Sequence, residues 1–381
     1  MIHKFQERIS GAALAAVFGV AMSSGALAAD IVVGGIYPLT GPVAYDGATK
    51  HNGAKLAVEE VNASGGVLGG KFVLKVEDGA CNPAQSVSAA EKLITQTKVV
   101  AILGAFCSSS SGAVMEVAKK YKIPHMTGVS TSQDLTRQGN PWFFRATGTS
   151  ALLGQAFGPT IVKAGAKRVA FLVVNDDWGR AVASSYAKSI KAAGAKVVAT
   201  EIFSRDDTDL FPYITKIKTR NPDVVISASN TQLAANVTKQ LRQLGVKSIL
   251  MGEGAFTSEA YRKLVGKLAL GVVGLVEYIP SIDSAKNKAF VKKYKSRFKE
   301  EPSKFSAAGY HAVHILAAAI KRAGSTNSEK LRQALLRTDY AGLTGNFKFA
   351  ANGQAYNFNV FMAKNVAGGL QVVGVGTIPK P

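Results

Sequence analysis

Beyond its first 29 residues the chain has no apolar run approaching the roughly 20 residues that a membrane helix needs. It has no internal repeat, no low-complexity stretch and no long linker, so a repeat array is set aside. Acidic residues are scarce: 25 Asp and Glu stand against 46 Lys and Arg, a formal net charge of +21. Such a balance favours anionic partners, lipid head groups included. The lysines are nevertheless scattered at helix-surface spacing, as in Lys286, Lys288, Lys292, Lys293, Lys295 and Lys299. An Arg-rich arm and an aromatic-interleaved basic stripe are both missing, which argues against nucleic acid. The charge reads as a solvated surface.

What the first 29 residues do contain is a basic start (Lys4, Arg8), an apolar core from Ala12 to Val20, and Ala26-Leu-Ala28 before Ala29-Asp30. That is the pattern of a cleaved secretory signal. With no later apolar span, the expectation is a periplasmic protein without a membrane anchor. Cysteine is nearly absent too, with only Cys81 and Cys107. In an oxidising compartment two lone cysteines pair. The bridge would close a loop of about 25 residues and contribute roughly 3–4 kcal/mol by loop entropy. One cysteine on each side of a candidate ligand seat favours a structural bridge over a redox pair.

Strand and helix patterns alternate from residue 31 onward, which implies doubly wound α/β units with parallel sheets covered on both faces. Strands are read at Ile31–Tyr37, Phe72–Glu77, Val99–Leu103 and Ile123–Met126, with helices at Ala48–Asn62, Pro83–Gln96 and Gly112–Tyr121. Phe143-Phe-Arg145 closes this first unit. A second begins with a helix at Ala151–Lys163. Strands at Arg168–Val174, Val197–Phe203, Asp223–Ser227 and Ser248–Met251 then alternate with helices at Ala181–Ala193, Leu210–Arg220 and Gln232–Leu244. The last third reads as helices at Ala285–Lys299, Phe305–Arg322 and Ser328–Leu336, then a terminal strand pair, Asn357–Lys364 with Leu370–Val375. Length alone suggests two domains.

The stretch Gly104-Ala-Phe-Cys-Ser-Ser-Ser-Ser-Gly112 stands between a buried strand and a helix. Free backbone N–H groups, hydroxyls and the positive end of a helix dipole make such a place a seat for a small anion, most simply a carboxylate. Serines that merely cap the helix are the alternative. Polar or aromatic residues recur at other strand ends, as Thr40, Ser130, Trp178, Asn230 and Glu253. In open α/β sheets ligands bind at those carboxyl ends.

Three motifs lead elsewhere and are set aside. Gly65-x-x-x-x-Gly70-Lys71 is followed by Phe72 where a phosphate-binding loop needs Ser or Thr, and it runs from helix to strand. His311-Ala-Val-His314 has no third ligand at metal spacing, so no metal and no cofactor is expected. The serines lack a G-x-S-x-G elbow. A secreted hydrolase would need folding to bring His51 or His125 to a serine, and catalytic residues are not expected.

Taken together, several segments give the chain a family likeness. They are Ile36-Tyr37 with Pro38-Leu-Thr-Gly-Pro42, Asn62-Ala-Ser-Gly-Gly-Val-Leu-Gly-Gly70 and Asp78-Gly-Ala-Cys-Asn-Pro83. Gly104-x-x-Cys-Ser-Ser-Ser, Arg145-x-Thr-Gly148, Asp177-Trp-Gly179 and Gly252-Glu-Gly254 follow in order. The chain resembles the type I periplasmic binding proteins of ABC importers, in the leucine/isoleucine/valine-binding group. The resemblance covers nearly all of Asp30 to Pro381. It implies two lobes joined by three crossovers, near Thr147–Ala151, Glu277–Pro280 and Ala355–Asn357, closing on a small ligand. Lobe I would comprise residues 30–147 and 278–356, and lobe II residues 148–277 and 357–381.

By the same resemblance Ser108, the Val129–Thr131 backbone and the Ser130 or Thr131 hydroxyl would hold the ligand carboxylate. Glu253 would pair with its ammonium, Trp178 would cover it and Phe305 would add apolar wall. For Phe305 the competing reading is core packing, and for Glu253 a surface charge. Asp46 and Asn230 stand where relatives carry tyrosines, so the pocket would be more polar or accept a second positive group. The implied partners are a small ligand, an amino acid first and an aromatic or other organic acid, an amide or urea as the alternative, and an ABC permease. The chain is expected to act as a monomer, in transport or as a ligand sensor.

Overall fold

The computed structural model describes residues 29–381, so the leader read over residues 1–29 lies, apart from its last residue, outside them. The first unit runs β1 (Ile31–Tyr37), α1 (Ala44–Ala63), β2 (Phe72–Asp78), α2 (Pro83–Thr95), β3 (Ile102–Leu103), α3 (Ser108–Tyr121), β4 (His125–Thr127), α4 (Asp134–Arg137) and β5 (Phe143–Arg145). The second runs α5 (Ser150–Lys163), β6 (Arg168–Val174), α6 (Asp177–Ala192), β7 (Lys196–Phe203), α7 (Phe211–Thr219), β8 (Val224–Ser229), α8 (Thr231–Gln243), β9 (Ile249–Gly254), α9 (Glu259–Val265) and β10 (Val273–Val276). The chain ends in α10 (Ala285–Phe298), α11 (Lys304–Ala323), α12 (Ser328–Leu336), β11 (Asp339–Ala341), β12 (Gly345–Phe349), β13 (Ala355–Val366) and β14 (Gly369–Thr377).

Strand order places the site. The first sheet is β2-β1-β3-β4-β5, parallel throughout. The second repeats that order as β7-β6-β8-β9-β10, also parallel, before β13 and β14 add antiparallel strands. In each sheet the direction of winding reverses once, between β1 and β3 and between β6 and β8. Such switch points leave a crevice at the strands' carboxyl ends. The loops bordering them are Pro38–Val43 and Gly104–Cys107 in one sheet, and Asn175–Asp176 and Asn230 in the other. The inner runs of these sheets are buried on both faces, Val169–Val174 completely. That is the reason they show no period-2 alternation.

Three helices start four residues before the sequence reading. Helix α3 begins at Ser108 rather than Gly112, α6 at Asp177 rather than Ala181, and α1 at Ala44 rather than Ala48. Apolar periodicity marks where a helix starts to pack, whereas its first turn is set by the loop before it. In α6 that turn is fixed by Asp176, whose Oδ1 accepts from the Gly179 N–H at 2.8 Å. The strand expected at Val99–Leu103 contracts to Ile102–Leu103, although Val100 N–H and Ala101 C=O still bond to β1. Strand β9 extends through Gly254, three residues past its expected end. The Gly65–Gly70 segment is a turn, with Val67 and Gly70 bonded to each other.

The halves are linked at three crossings. Gln354 Nε2 donates to Thr147 C=O at 2.6 Å, and the Thr147 hydroxyl to Glu277 Oε1 at 2.9 Å. Strand β13 passes unbroken from its pairing with β12 to its pairing with β10. Helix α11 returns to the first unit and crosses α1 so closely that a Cβ on Gly309 would sit 2.1 Å from Lys50 C=O. That approach seats the start of α11, with Lys304 and Phe305, at the crevice.

Candidate functional site

Between the two switch points lies a cavity. Val43, Phe106, Val129, Trp178 and Phe305 give it apolar walls, and Ser108, Ser130, Asp176, Arg205, Asn230 and Lys304 bring polar groups. The Phe106 and Phe305 rings lie 4.9 Å apart, so Phe305 is both packed and part of the wall.

The anion seat is built by α3. Its N-cap, Cys107, is extended and makes no side-chain cap, and the first hydrogen bond into the helix is Ser111 N–H to Cys107 C=O. The serines therefore lie inside the first turn rather than capping it, and Ser108 faces the cavity. The Ser108 oxygen accepts from the Ser132 N–H at 3.3 Å, and among the described residues its hydroxyl donates to nothing. Ser130 is more committed: its hydroxyl reaches Phe106 C=O at 3.0 Å and Ser111 Oγ at 2.7 Å. The Val129 and Ser130 N–H groups both lean on Thr127 Oγ1, at a long 3.3 Å.

Glu253 is neither surface charge nor loop residue. It sits in β9, in register with Ala228 and Leu275, and is fully buried. Its Oε1 accepts from the Thr131 hydroxyl and from Trp178 Nε1, each at 3.0 Å. Among the described residues its Oε2 has no hydrogen-bond partner. Burial holds the carboxyl above the ordinary range, although nearby Lys304 and the two donors oppose it. Glu253 and Thr131 thus stand one layer behind Trp178 and Ser130, which line the cavity.

Asp46 corrects the sequence reading. Far from offering a free carboxylate to the pocket, it accepts from Thr231 N–H at 3.0 Å and from the Thr231 hydroxyl at 2.5 Å, across the crevice. Asn230 caps α8 through Leu233 N–H and donates to Pro42 C=O at 3.3 Å, beside the same crossing. Burial pushes the Asp46 carboxyl up to about 6, against the pull of the Thr231 bonds. A carboxyl raised on folding costs stability once charged, and the cost is relieved as pH falls through about 6 towards the unfolded value near ~4. Asp46→Asn can accept from Thr231 N–H and donate to its hydroxyl without that charge. It is expected to remove this part of the pH dependence, on the order of 2–3 kcal/mol between about pH 4 and about pH 7. Urea unfolding of both proteins at the two pH values measures it, and curves that stay parallel would refute it.

Three polar cavity residues went unread in the sequence: Asp176, Arg205 and Lys304. Arg205 Nη2 pairs with Asp176 Oδ2, and Lys304 Nζ with Glu277 Oε2 at 2.9 Å. Their signal was topological, since Arg205 follows β7, the neighbour of β6, and Lys304 adjoins Phe305. A second cavity adjoins the first through Val129 and Lys304. The cysteines are joined as read, Cys81 to Cys107 with Cα atoms 5.4 Å apart, and the bridge ties the loop after β2 to the residue before Ser108.

Three of the histidines are occupied elsewhere. His125 Nε2 meets Gly104 C=O at 2.6 Å, and burial holds its ring down to about 4. His311 Nε2 accepts from Leu343 N–H and His314 Nε2 faces Glu60. Among the described residues no three His, Cys, Asp or Glu side chains gather at metal distance.

Residues 30–369 match the profile of the family described as Periplasmic binding protein. An amino acid binding protein of Pseudomonas aeruginosa is 30% identical, covering 87% of this chain and 88% of its own. A leucine-, isoleucine-, valine-, threonine- and alanine-binding protein of the same organism is 28% identical, over 84% and 86%. Among solved structures, the branched-chain amino acid transporter substrate-binding protein LivJ of Streptococcus pneumoniae, in complex with isoleucine, superposes with a TM-score of 0.83. It is 28% identical and is covered completely, against 92% of this chain. A solute-binding protein of an ABC transporter from R. palustris, in complex with benzoate, shares the fold with a TM-score of 0.86 at 22% identity, over 92% and 98%. The chain belongs to the periplasmic binding proteins, with the type I fold and in the leucine/isoleucine/valine-binding group.

Proposed function

We propose that this chain is an extracytoplasmic solute-binding protein that captures a small carboxylate-bearing ligand between its two sheets and hands it to an ABC permease. The ligand class supported best is an amino acid with an apolar body, branched-chain amino acids first. The observation that carries this is the pairing of an uncapped α3 N-terminus, presenting the free Ser108 hydroxyl, with walls of Val43, Phe106, Trp178 and Phe305. The names of the curated relatives agree with it.

In this reading Ser108, Ser130 and the Val129–Thr131 backbone receive the carboxylate and Trp178 covers the ligand. Glu253, reached past Thr131 and Trp178, meets its ammonium. Residues 30–147 with 278–356 move as one lobe and 148–277 with 357–381 as the other, turning about the Thr147, Glu277 and Gln354 crossings. Residues 1–29 direct export and are removed. The protein binds without turnover and acts as a monomer. A second reading, an aromatic or other organic acid without an amine, is favoured by one feature: Glu253 is not itself on the cavity wall.

Ser108→Ala tests the site. A hydrogen bond to a charged group contributes about 1.5–3 kcal/mol, so affinity should fall roughly 10- to 150-fold with fold stability nearly unchanged. Calorimetry with L-leucine and with benzoate checks it. Equal affinities of native and variant protein for whichever of them binds would mean that α3 does not hold the ligand.

A further inference from the structure

The cavity's donors and acceptors are unequal. On its wall, the Ser108 hydroxyl donates to nothing among the described residues, and the Arg205 guanidinium makes a single hydrogen bond, to Asp176. Lys304 likewise makes one, to Glu277 Oε2. A guanidinium carries five N–H donors and an ammonium three, so both side chains keep donors in reserve. The acceptors are fewer and half taken: Asp176 Oδ1 accepts from the Gly179 N–H and Oδ2 from Arg205, while Asn230 Oδ1 accepts from the Leu233 N–H, which leaves one lone pair on each of these oxygens. Arg205 comes from the second sheet and Lys304 from α11 beside the first, so two cations face the cavity from opposite sides. Both are largely shielded, with side chains 19% and 8% exposed, so water screens them little.

From this imbalance we infer that the ligand carries a second anionic group, a carboxylate at the end remote from the Ser108 seat, which Arg205 and Lys304 read. The inference rests on the proposed cavity being the ligand site, and it narrows the ligand there: the body is apolar, packed by Phe106 and Phe305, but the far end is an acceptor. Arg205 is suited to this because a guanidinium can bond Asp176 with one nitrogen and a ligand carboxylate with the others. Asp176 sets the strength of the interaction, since it competes for the same cation.

The test compares L-leucine with four dicarboxylates, L-glutamate, L-2-aminoadipate, glutarate and adipate, by calorimetry on the mature protein. The amine-bearing and amine-free pairs separate amino acids from plain dicarboxylic acids. At least one dicarboxylate should bind more tightly than leucine, and Arg205→Gln should lower that preference about tenfold or more, with Arg205→Lys restoring part of it. Asp176→Asn keeps the helix cap, because asparagine caps as well as aspartate, and releases Arg205. It should tighten dicarboxylate binding several-fold, a gain that misfolding cannot produce. Leucine binding more tightly than all four, no dicarboxylate binding at millimolar concentration, or unchanged preference in both Arg205→Gln and Asp176→Asn would each overturn the inference. If Ser108→Ala also leaves every affinity unchanged, it is the cavity assignment itself that has failed.

Discussion

Glu253→Gln is expected to lower affinity for an amine-bearing ligand by two orders of magnitude or more while leaving the unliganded protein as stable as before, or more so. The two effects have one origin. A carboxylate buried completely in β9 has two donors on Oε1 and, among the described residues, no partner on Oε2, so its charge is poorly compensated and burial holds it above the ordinary carboxyl range. A neutral amide relieves that burden. It still accepts from the Thr131 hydroxyl and Trp178 Nε1. A ligand ammonium reaching Oε2 would supply the missing counter-charge in a shielded place. Removing the carboxylate then leaves that ammonium desolvated and unpaired, a loss of several kcal/mol. L-Leucine and its amine-free analogue 4-methylpentanoate separate the terms, because only the first should suffer. If the variant binds leucine as the native protein does, Glu253 is a structural anchor for Trp178, and the organic-acid reading takes the lead.

The fold was largely legible because its strands are buried twice over. Runs such as Val169–Val174 and Val224–Ser229 leave little choice but a parallel sheet, and the polar punctuation between them fixes the alternation with helices. Short or half-exposed pieces left no such trace: α4, α9, β10, β11 and β12 went unread. Asp339–Ala341, for example, is mostly exposed and paired on one side only. In the site, Ser108, Ser130, Trp178 and Asn230 came from loops next to strong strands and Phe305 from the family resemblance, and all five line the cavity. Asp46 misled because a carboxylate in a pocket-forming helix looks available. Its commitment to Thr231, 185 residues away, depends on how the two sheets face each other. Arg205 was missed for the same reason, as β7 stands next to β6 only in three dimensions.

Loss of the Cys81–Cys107 bridge should affect stability and binding together. The two cysteines are 26 residues apart, which in the loop-entropy estimate gives the bridge roughly 3–4 kcal/mol. The loop it closes contains α2, β3 and Gly104–Phe106, so the constraint acts on the approach to the cavity rather than on a remote hairpin. Cys107 is the N-cap of α3 and lines the cavity, while Cys81 lies in the loop after β2. Without the bridge, the start of α3 is held by packing in the Val43, Phe106, Ala255 and Phe305 cluster and by the Ser130 hydroxyl on Phe106 C=O. The Cys81→Ala/Cys107→Ala protein should therefore unfold at lower urea by an amount equivalent to about 2–5 kcal/mol. Its affinity for a carboxylate ligand should fall as well, because the Ser108 hydroxyl and the open N–H groups of α3 are no longer pre-positioned. Intact mass of the exported native protein, unreduced, should be two hydrogens below that of the reduced chain. A double variant with native stability would show that the first sheet's core alone holds the loop. Lower stability with unchanged affinity would instead place the seat's rigidity in the Ser111, Ser130 and Thr127 hydroxyl network.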